Sequence, residues 1–212
     1  MTFIIAIDGH AASGKGTIAK GVAEWFGFSY LDTGLIYRAV AQQALLKGTE
    51  GLLSKKELVK IARSFKPEFL GSENLRSSVV GNYASKIAAI AEVRSELIKF
   101  QRDFATKNQG AVLDGRDIGT VIAPDAQLKV FVTADLNIRA ERRYKDLRMR
   151  DKSITFSQIL DDLSKRDCLD SSRQYAPLKI TKDAHLIDTS ELSIEASVAF
   201  VIDLVKRLNE KE

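Results

Sequence analysis

Between an apolar pentad, Phe3-Ile4-Ile5-Ala6-Ile7, and a helical pattern runs the segment Gly9-His10-Ala11-Ala12-Ser13-Gly14-Lys15-Gly16-Thr17. Glycines at these places let successive backbone N–H groups turn inward around phosphate oxygens. The helix N-terminus that follows adds positive potential. Lys15 supplies a mobile point charge for the outer phosphates of a nucleoside triphosphate. A strand leading through such a loop into a helix reads as a phosphate site. The usual loop has Ser or Thr directly after its lysine, where this chain has Gly16. Without that hydroxyl, a divalent cation depends more on phosphate oxygens, water and a distant carboxylate. Asp114, at the tip of a later apolar run, is the candidate, although a strand-end turn residue has the same appearance.

Cations crowd a second region. Arg139, Arg142, Arg143, Lys145, Arg148, Arg150 and Lys152 fall within fourteen residues, with acids interspersed. Alone, this run reads equally as a solvated helix face or as a surface for an anion. The whole chain has 32 Lys and Arg against 28 acids, a net charge of +4 that suits nucleotide, nucleic acid or membrane surface. A nucleic-acid binder needs aromatic stacking platforms, and only Tyr144 lies inside the run. No Asn-Lys-x-Asp guanine reader occurs, which argues against a GTPase. The single Cys168 forms no intramolecular disulfide framework and fits a reducing cytosol. The run Phe3 to Ile7 is too short for a leader or a membrane span, and no later stretch approaches twenty apolar residues. A cytoplasmic protein is expected. His10 and His185 are the only histidines, and His185, opening a strand, reads as structural.

Elements that position these residues follow from periodicity. Phe3 to Ile7, Phe28 to Leu31, Ala111 to Leu113, Leu128 to Val132 and His185 to Asp188 read as five short apolar strands. Helical patterns separate them. One carries Ile18, Val22, Trp25 and Phe26 inward, and another Leu35, Ile36, Val40 and Ala44, with Asp32 or Thr33 as its cap. Ser54-Lys55-Lys56-Glu57 opens a third with a capping box. Lys66 to Ser78 reads as irregular, helix then runs from about Val79 to Asn108, and a closing helix turns Ile194, Val198, Ile202 and Val205 inward. The expectation is an α/β fold of three layers with a five-stranded parallel sheet, in one domain of 212 residues.

The segments IAIDGHAASGKGT, YLDTGLIYRAVA and LDGRDIGTVIAPDA, and the RD–D–R–APL pattern at 166–178, resemble the bacterial cytidylate kinases, nucleoside monophosphate kinases with a phosphate loop. The resemblance covers essentially the whole chain and implies transfer of the ATP γ-phosphate to CMP or dCMP. It implies that Gly9, His10, Ala11, Ala12, Ser13, Gly14, Lys15, Gly16 and Thr17 hold ATP, with Mg2+ bound through phosphates and water rather than by direct ligation. Arg38, Arg116 and Arg173 would reach the acceptor phosphate, as planar forks suited to it. Arg142 and Arg143 would belong to a lid, and Lys15, Arg116, Arg142, Arg143 and Asp114 form the catalytic set.

Ser85, Arg94 and Asp117 resemble the base readers of that family. A carboxylate suits the N4 amino donor of cytosine, and guanidinium or hydroxyl suits its acceptors. Uracil would face Asp117 with an acceptor, a mismatch of roughly 4–7 kcal/mol. Arg166 and Asp170 resemble the sugar-contacting pair, with Thr33 and Tyr37 beside them. The division implied is a core of 1–34, 106–138 and 174–212, an acceptor segment of about 35–105 and a lid of about 139–173. A monomer is the default, with no nucleic acid or membrane partner. Two departures stand out: His10 replaces a usual proline, and the stretch from Phe69 to Gly81 is shorter than the family's insert, with Arg76 resembling that insert's final arginine.

Overall fold

The five apolar runs become β1 (Phe3–Gly9), β2 (Ser29–Asp32), β3 (Gly110–Gly115), β4 (Leu128–Thr133) and β5 (His185–Asp188) in a computed structural model. It describes residues 2–48, 53–107, 109–149 and 151–210, so Asn108 and Arg150 lie outside the described residues. All the strands pair in parallel, in the order β2-β3-β1-β4-β5. β3 is buried along its whole length and β1 through its last five residues, which is why both read as continuous apolar runs. Ile5 and Ile7 face one side of the sheet, Ala6 the other.

Helices α1 (Lys15–Phe26) and α8 (Ile194–Asn209) cover the Ile5 side. The Ala6 side is covered by α2 (Thr33–Leu45), α3 (Lys55–Arg63), α4 (Ser78–Ile87) and α5 (Ala91–Lys107). A separate apolar cluster joins α6 (Leu136–Arg148) and α7 (Phe156–Ser172) to Ala11 of the loop, through Ala140, Leu147, Ile159 and Leu163. Of the two cap candidates for α2, the Asp32 side chain is the one used, accepting from the Leu35 amide at 3.3 Å. The Ser54–Glu57 capping box is formed. Within the stretch read as irregular, two short 3-10 turns span Pro67–Gly71 and Glu73–Arg76.

Three expectations are corrected. Helix from Val79 onward is not continuous but breaks at Ala88–Ile90 into α4 and α5. No Gly or Pro marks the break; instead Arg94 Nη1 donates to the Ala88 carbonyl at 3.2 Å, a partner supplied by the next helix. Trp25 is not inward but 63% exposed, with the Lys206 ammonium 5.5 Å from its ring centroid. Ile18 and Val22 already fill the inner face of α1. Ile194 is 56% exposed and lines a cavity, while Val201, Ile202 and Val205 carry the burial of α8.

The carboxyl ends of β1, β2, β3 and β4 bring Gly9, Asp32, Asp114 and Thr133 to one edge of the sheet, where open α/β sheets bind ligands.

Candidate active site

Gly9 lets the loop leave β1 against β4: a Cβ there would lie 2.0 Å from the Val132 carbonyl. Ala12 (φ 59) and Gly14 (φ 87) take left-handed backbone, which turns the chain around a concavity. The start of α1 has no side-chain cap and no acid in its first turn. By contrast α2, α3, α4, α6, α7 and α8 are each capped by a side chain. The first amides of α1 therefore present an anion site.

Lys15 Nζ lies 3.4 Å from Asp114 Oδ2. Tyr30 donates its hydroxyl to Asp114 Oδ1 at 2.8 Å, and Thr33 donates to the Asp114 carbonyl at 2.8 Å. Burial, reinforced by Arg116, pushes the Lys15 pKa down. Burial raises that of Asp114 against the pull of Lys15, and burial with Asp114 beside it pushes the Tyr30 phenol up.

Three cavities follow one another from this loop. The first, about 440 Å³, is lined by Ala12 to Thr17, Arg142, Arg143, Thr189, Leu192 and Ile194. The second, about 210 Å³, shares Ala12, Lys15, Gly16, Arg76 and Arg143 with the first. Its wall carries six cations, Lys15, Arg38, Arg76, Arg116, Arg143 and Arg166, against the carboxylates of Asp32 and Asp114. Burial and the neighbouring Arg166 and Arg143 lower the Arg38 pKa to about 9. Burial and Arg116 bring Arg166 to about 10. So much unbalanced positive charge in a cleft is a site for a multiply charged anion.

The third cavity, about 50 Å³, shares Gly34, Gly115, Arg116 and Arg166 with the second and adds Thr33, Tyr37, Ser85, Arg94, Asp117, Asp170 and Arg173. Asp117 bonds Arg94 through one oxygen, and Arg173 Nη2 stands 3.7 Å from the other. Arg116 Nε donates to Asp170 at 2.8 Å. Burial alone would raise the Asp170 pKa, but Arg116 and Arg166 hold it below the usual carboxylate range. Ser85 Oγ, Arg166 Nε and Arg173 Nη2 are buried without a hydrogen-bond partner among the described residues. Groups left this way in one small polar cavity are recognition groups for a ligand with matching donors and acceptors.

The cytidylate kinase family model matches residues 5–207, and thus the loop, the six-cation wall and the third cavity together. The chain belongs to the cytidylate kinase family. Proteins named cytidylate kinase are 49% identical to it in Rhodopseudomonas palustris (strain BisB18), over 96% of this chain and 95% of that protein. In Azorhizobium caulinodans the figures are 49%, 96% and 98%. Among solved structures, an uncharacterized protein from Eubacterium ventriosum superposes at TM-score 0.57 and 14% identity, covering 97% of this chain and 99% of that one. A sugar kinase from Janibacter sp. HTCC2649 does so at 0.50 and 12%, covering 97% and 95%. These two share the fold.

Within this cytidylate kinase family site, Ala12, Ser13, Gly14, Lys15, Gly16 and Thr17 line the first cavity and Ala11 the second. Gly9 and His10 line neither. His10 turns to β4, with Nδ1 3.3 Å from Thr133 Oγ1 and its ring edge-on to Phe131. Arg173, expected among the phosphate arginines, stands instead with Arg94 and Asp117, while Arg166 bridges the second and third cavities. Arg139 lies beneath the loop, donating to Ala11 O at 3.3 Å and to Asp167 at 2.6 Å. Two further residues also belong here, Arg76, noted in the sequence only as resembling the last arginine of the family's insert, and Thr189. Arg76 lines both larger cavities, and Thr189 ties Arg142 to the loop. Neither has a local signature, since a turn arginine and a threonine after a strand occur everywhere.

Proposed function

We propose that this chain transfers the γ-phosphoryl group of ATP to CMP or dCMP, giving ADP and CDP or dCDP. The series of three cavities with shared walls carries the reading: an uncapped helix start for the triphosphate, a ring of cations, then a small polar chamber for a base and sugar. Leu192 and Ile194 offer apolar surface to the adenine ring.

The acceptor is a phosphate monoester with a second pKa of about 6, mostly ionised at pH 7. No general base is needed. One of its oxygens attacks the γ-phosphorus, the bond to the β–γ bridging oxygen breaks, and the electron pair leaves on ADP. The protein's work is to neutralise two anions and align them. Lys15, Arg76 and Arg143, in the shared wall, face the transferring group, and Arg38, Arg116 and Arg166 hold the acceptor phosphate. Mg2+ would arrive with the triphosphate and screen its charge, with Asp114 the carboxylate placed to hold its water. Asp117 accepts from the cytosine amino group, while Ser85, Arg94 and Arg173 meet its acceptors. Thr33, Tyr37 and Asp170 shape the sugar's surroundings.

Helices α2 to α5 form the acceptor segment and α6 with α7 the lid, which close on each other where Asn82 meets Asp162 at 3.4 Å. No helix among the described residues is long and apolar enough to cross a membrane. A monomer in the cytoplasm fits this chemistry.

ADP release measured across CMP, dCMP, UMP, AMP, GMP and dTMP tests the proposal. CMP and dCMP should lead UMP by roughly a thousandfold or more in kcat/KM. Asp117→Ala should collapse that preference, and Lys15→Ala should remove most turnover. Equal use of CMP and UMP by the unaltered chain would refute the reading.

A further inference from the structure

The last residue but one of β1 is a carboxylate that the chemistry above leaves idle. Asp8 lies on the same side of the sheet as Ile4 and Ala6, among mostly apolar groups with the Lys129 stem of β4 nearby, and it is only 6% exposed. Its two oxygens accept from the backbone amides of Ile118 and Gly119, both at 2.8 Å, across 110 and 111 residues of chain. Those amides open the π-helical turn Ile118–Ile122, whose first donors have no carbonyl of their own to reach. Asp8 is thus a cap delivered from another element. The residue directly before the turn is Asp117, held at φ −144 and ψ 25 with Arg94 on its carboxylate.

We propose that Asp8 is a positioning residue for base selection: by capping Ile118 and Gly119 it sets the backbone that aims Asp117 at the acceptor base. The proposal rests on Asp117 as the reader of that base. Gly9, the next residue after Asp8, begins the phosphate loop. A carboxylate is the group that accepts from two adjacent amides at once. A buried carboxylate otherwise has little reason to stand on an apolar face. Asp8 holds its proton more tightly than a free carboxyl, with a pKa of about 6 set by burial and partly offset by the two amides. Asp117 and Arg116 are the charged groups that act on it.

The test is Asp8→Asn in the full chain, with kcat and KM for CMP, UMP and ATP and a thermal melt. Asparagine keeps the shape but sets an NH2 against one amide. The expected result is a fall of tenfold or more in the CMP:UMP ratio of kcat/KM, through KM for CMP. KM for ATP should stay within twofold, and the melt should show a cooperatively folded protein. The same ratio measured on the unaltered chain from pH 5 to 8 is a second arm, valid whether or not the variant folds. CMP and UMP carry the same phosphate, whose ionisation cancels in the ratio, so selectivity should drop as pH falls through about 6. Asp117→Ala separates the two ideas. If it erases selectivity while Asp8→Asn leaves the ratio intact, or the ratio is flat with pH, the positioning role is wrong. If Asp117→Ala also changes nothing, the base-reading assignment fails with it.

Discussion

Arg142 grips Thr189 twice, donating to its hydroxyl at 2.9 Å and to its carbonyl at 2.6 Å. The same hydroxyl donates to the Ser13 carbonyl at 2.8 Å. A helix of the proposed lid is thereby tied to the phosphate loop through one buried side chain at the end of β5. Thr189→Val removes the hydroxyl and leaves the Ser13 carbonyl without this partner, a loss of about 1–3 kcal/mol. KM for ATP should rise about tenfold, worth about 1.4 kcal/mol, while KM for CMP changes little. Steady-state rates with ATP varied at saturating CMP measure this, and an unchanged KM for ATP would show that the grip does not shape the donor cavity.

Gly16 faces Asp114 and Tyr30. A Cβ there would lie 3.5 Å from the Tyr30 hydroxyl and 3.7 Å from Asp114 Oδ2, ordinary contact distances. Gly16→Ser should therefore fold normally and restore the hydroxyl that usually touches the cation. The Mg2+ concentration giving half-maximal ADP release should drop severalfold. If it rises, the cation does not sit beside Asp114.

Asp8 makes a prediction about stability as well as selectivity. Its folded pKa, about 6, exceeds the ordinary 3.8, so folding favours the protonated form. That contribution is complete below 3.8 and is lost as pH rises through about 6. At pH 7.5 the ionised group destabilises the fold by up to about 3 kcal/mol. Asparagine does not titrate, so Asp8→Asn should gain stability on the unaltered chain by about 1.4 kcal/mol between pH 5 and pH 7.5, while the amide that it leaves unpaired costs the same at both. Urea unfolding of both proteins at pH 7.5, 6 and 5 reads the difference directly. A variant that gained on the unaltered chain on acidification instead would contradict the assigned direction.

Local rules carried a large part of this structure. The central strands were legible because a sheet buried on both faces selects continuous apolar runs, as in β3, where every residue is buried, whereas the edge strand β5 buries only Ile187. The Ser54–Glu57 capping box was legible because both partners lie within one turn. The loop at Gly9 to Thr17 was legible because its work is done by its own backbone. The break at Ala88 was hidden, since Arg94 stabilises it from a different helix. Trp25 was misread because Ile18 and Val22 already fill the inner face of α1, which leaves its ring at the surface beside Lys206.

By itself, then, the sequence determined the order of the elements, the phosphate cradle and the stock of arginines, because short-range periodicity and backbone freedom depend only on near neighbours. Tertiary structure decided where each arginine stands. Arg173 went to Asp117 and Arg166 to the cation wall, although the two are only seven positions apart. It also decided that Asp8 would cap a turn 110 residues away. Such assignments depend on distances across the sheet, and these exist only once the strands have paired.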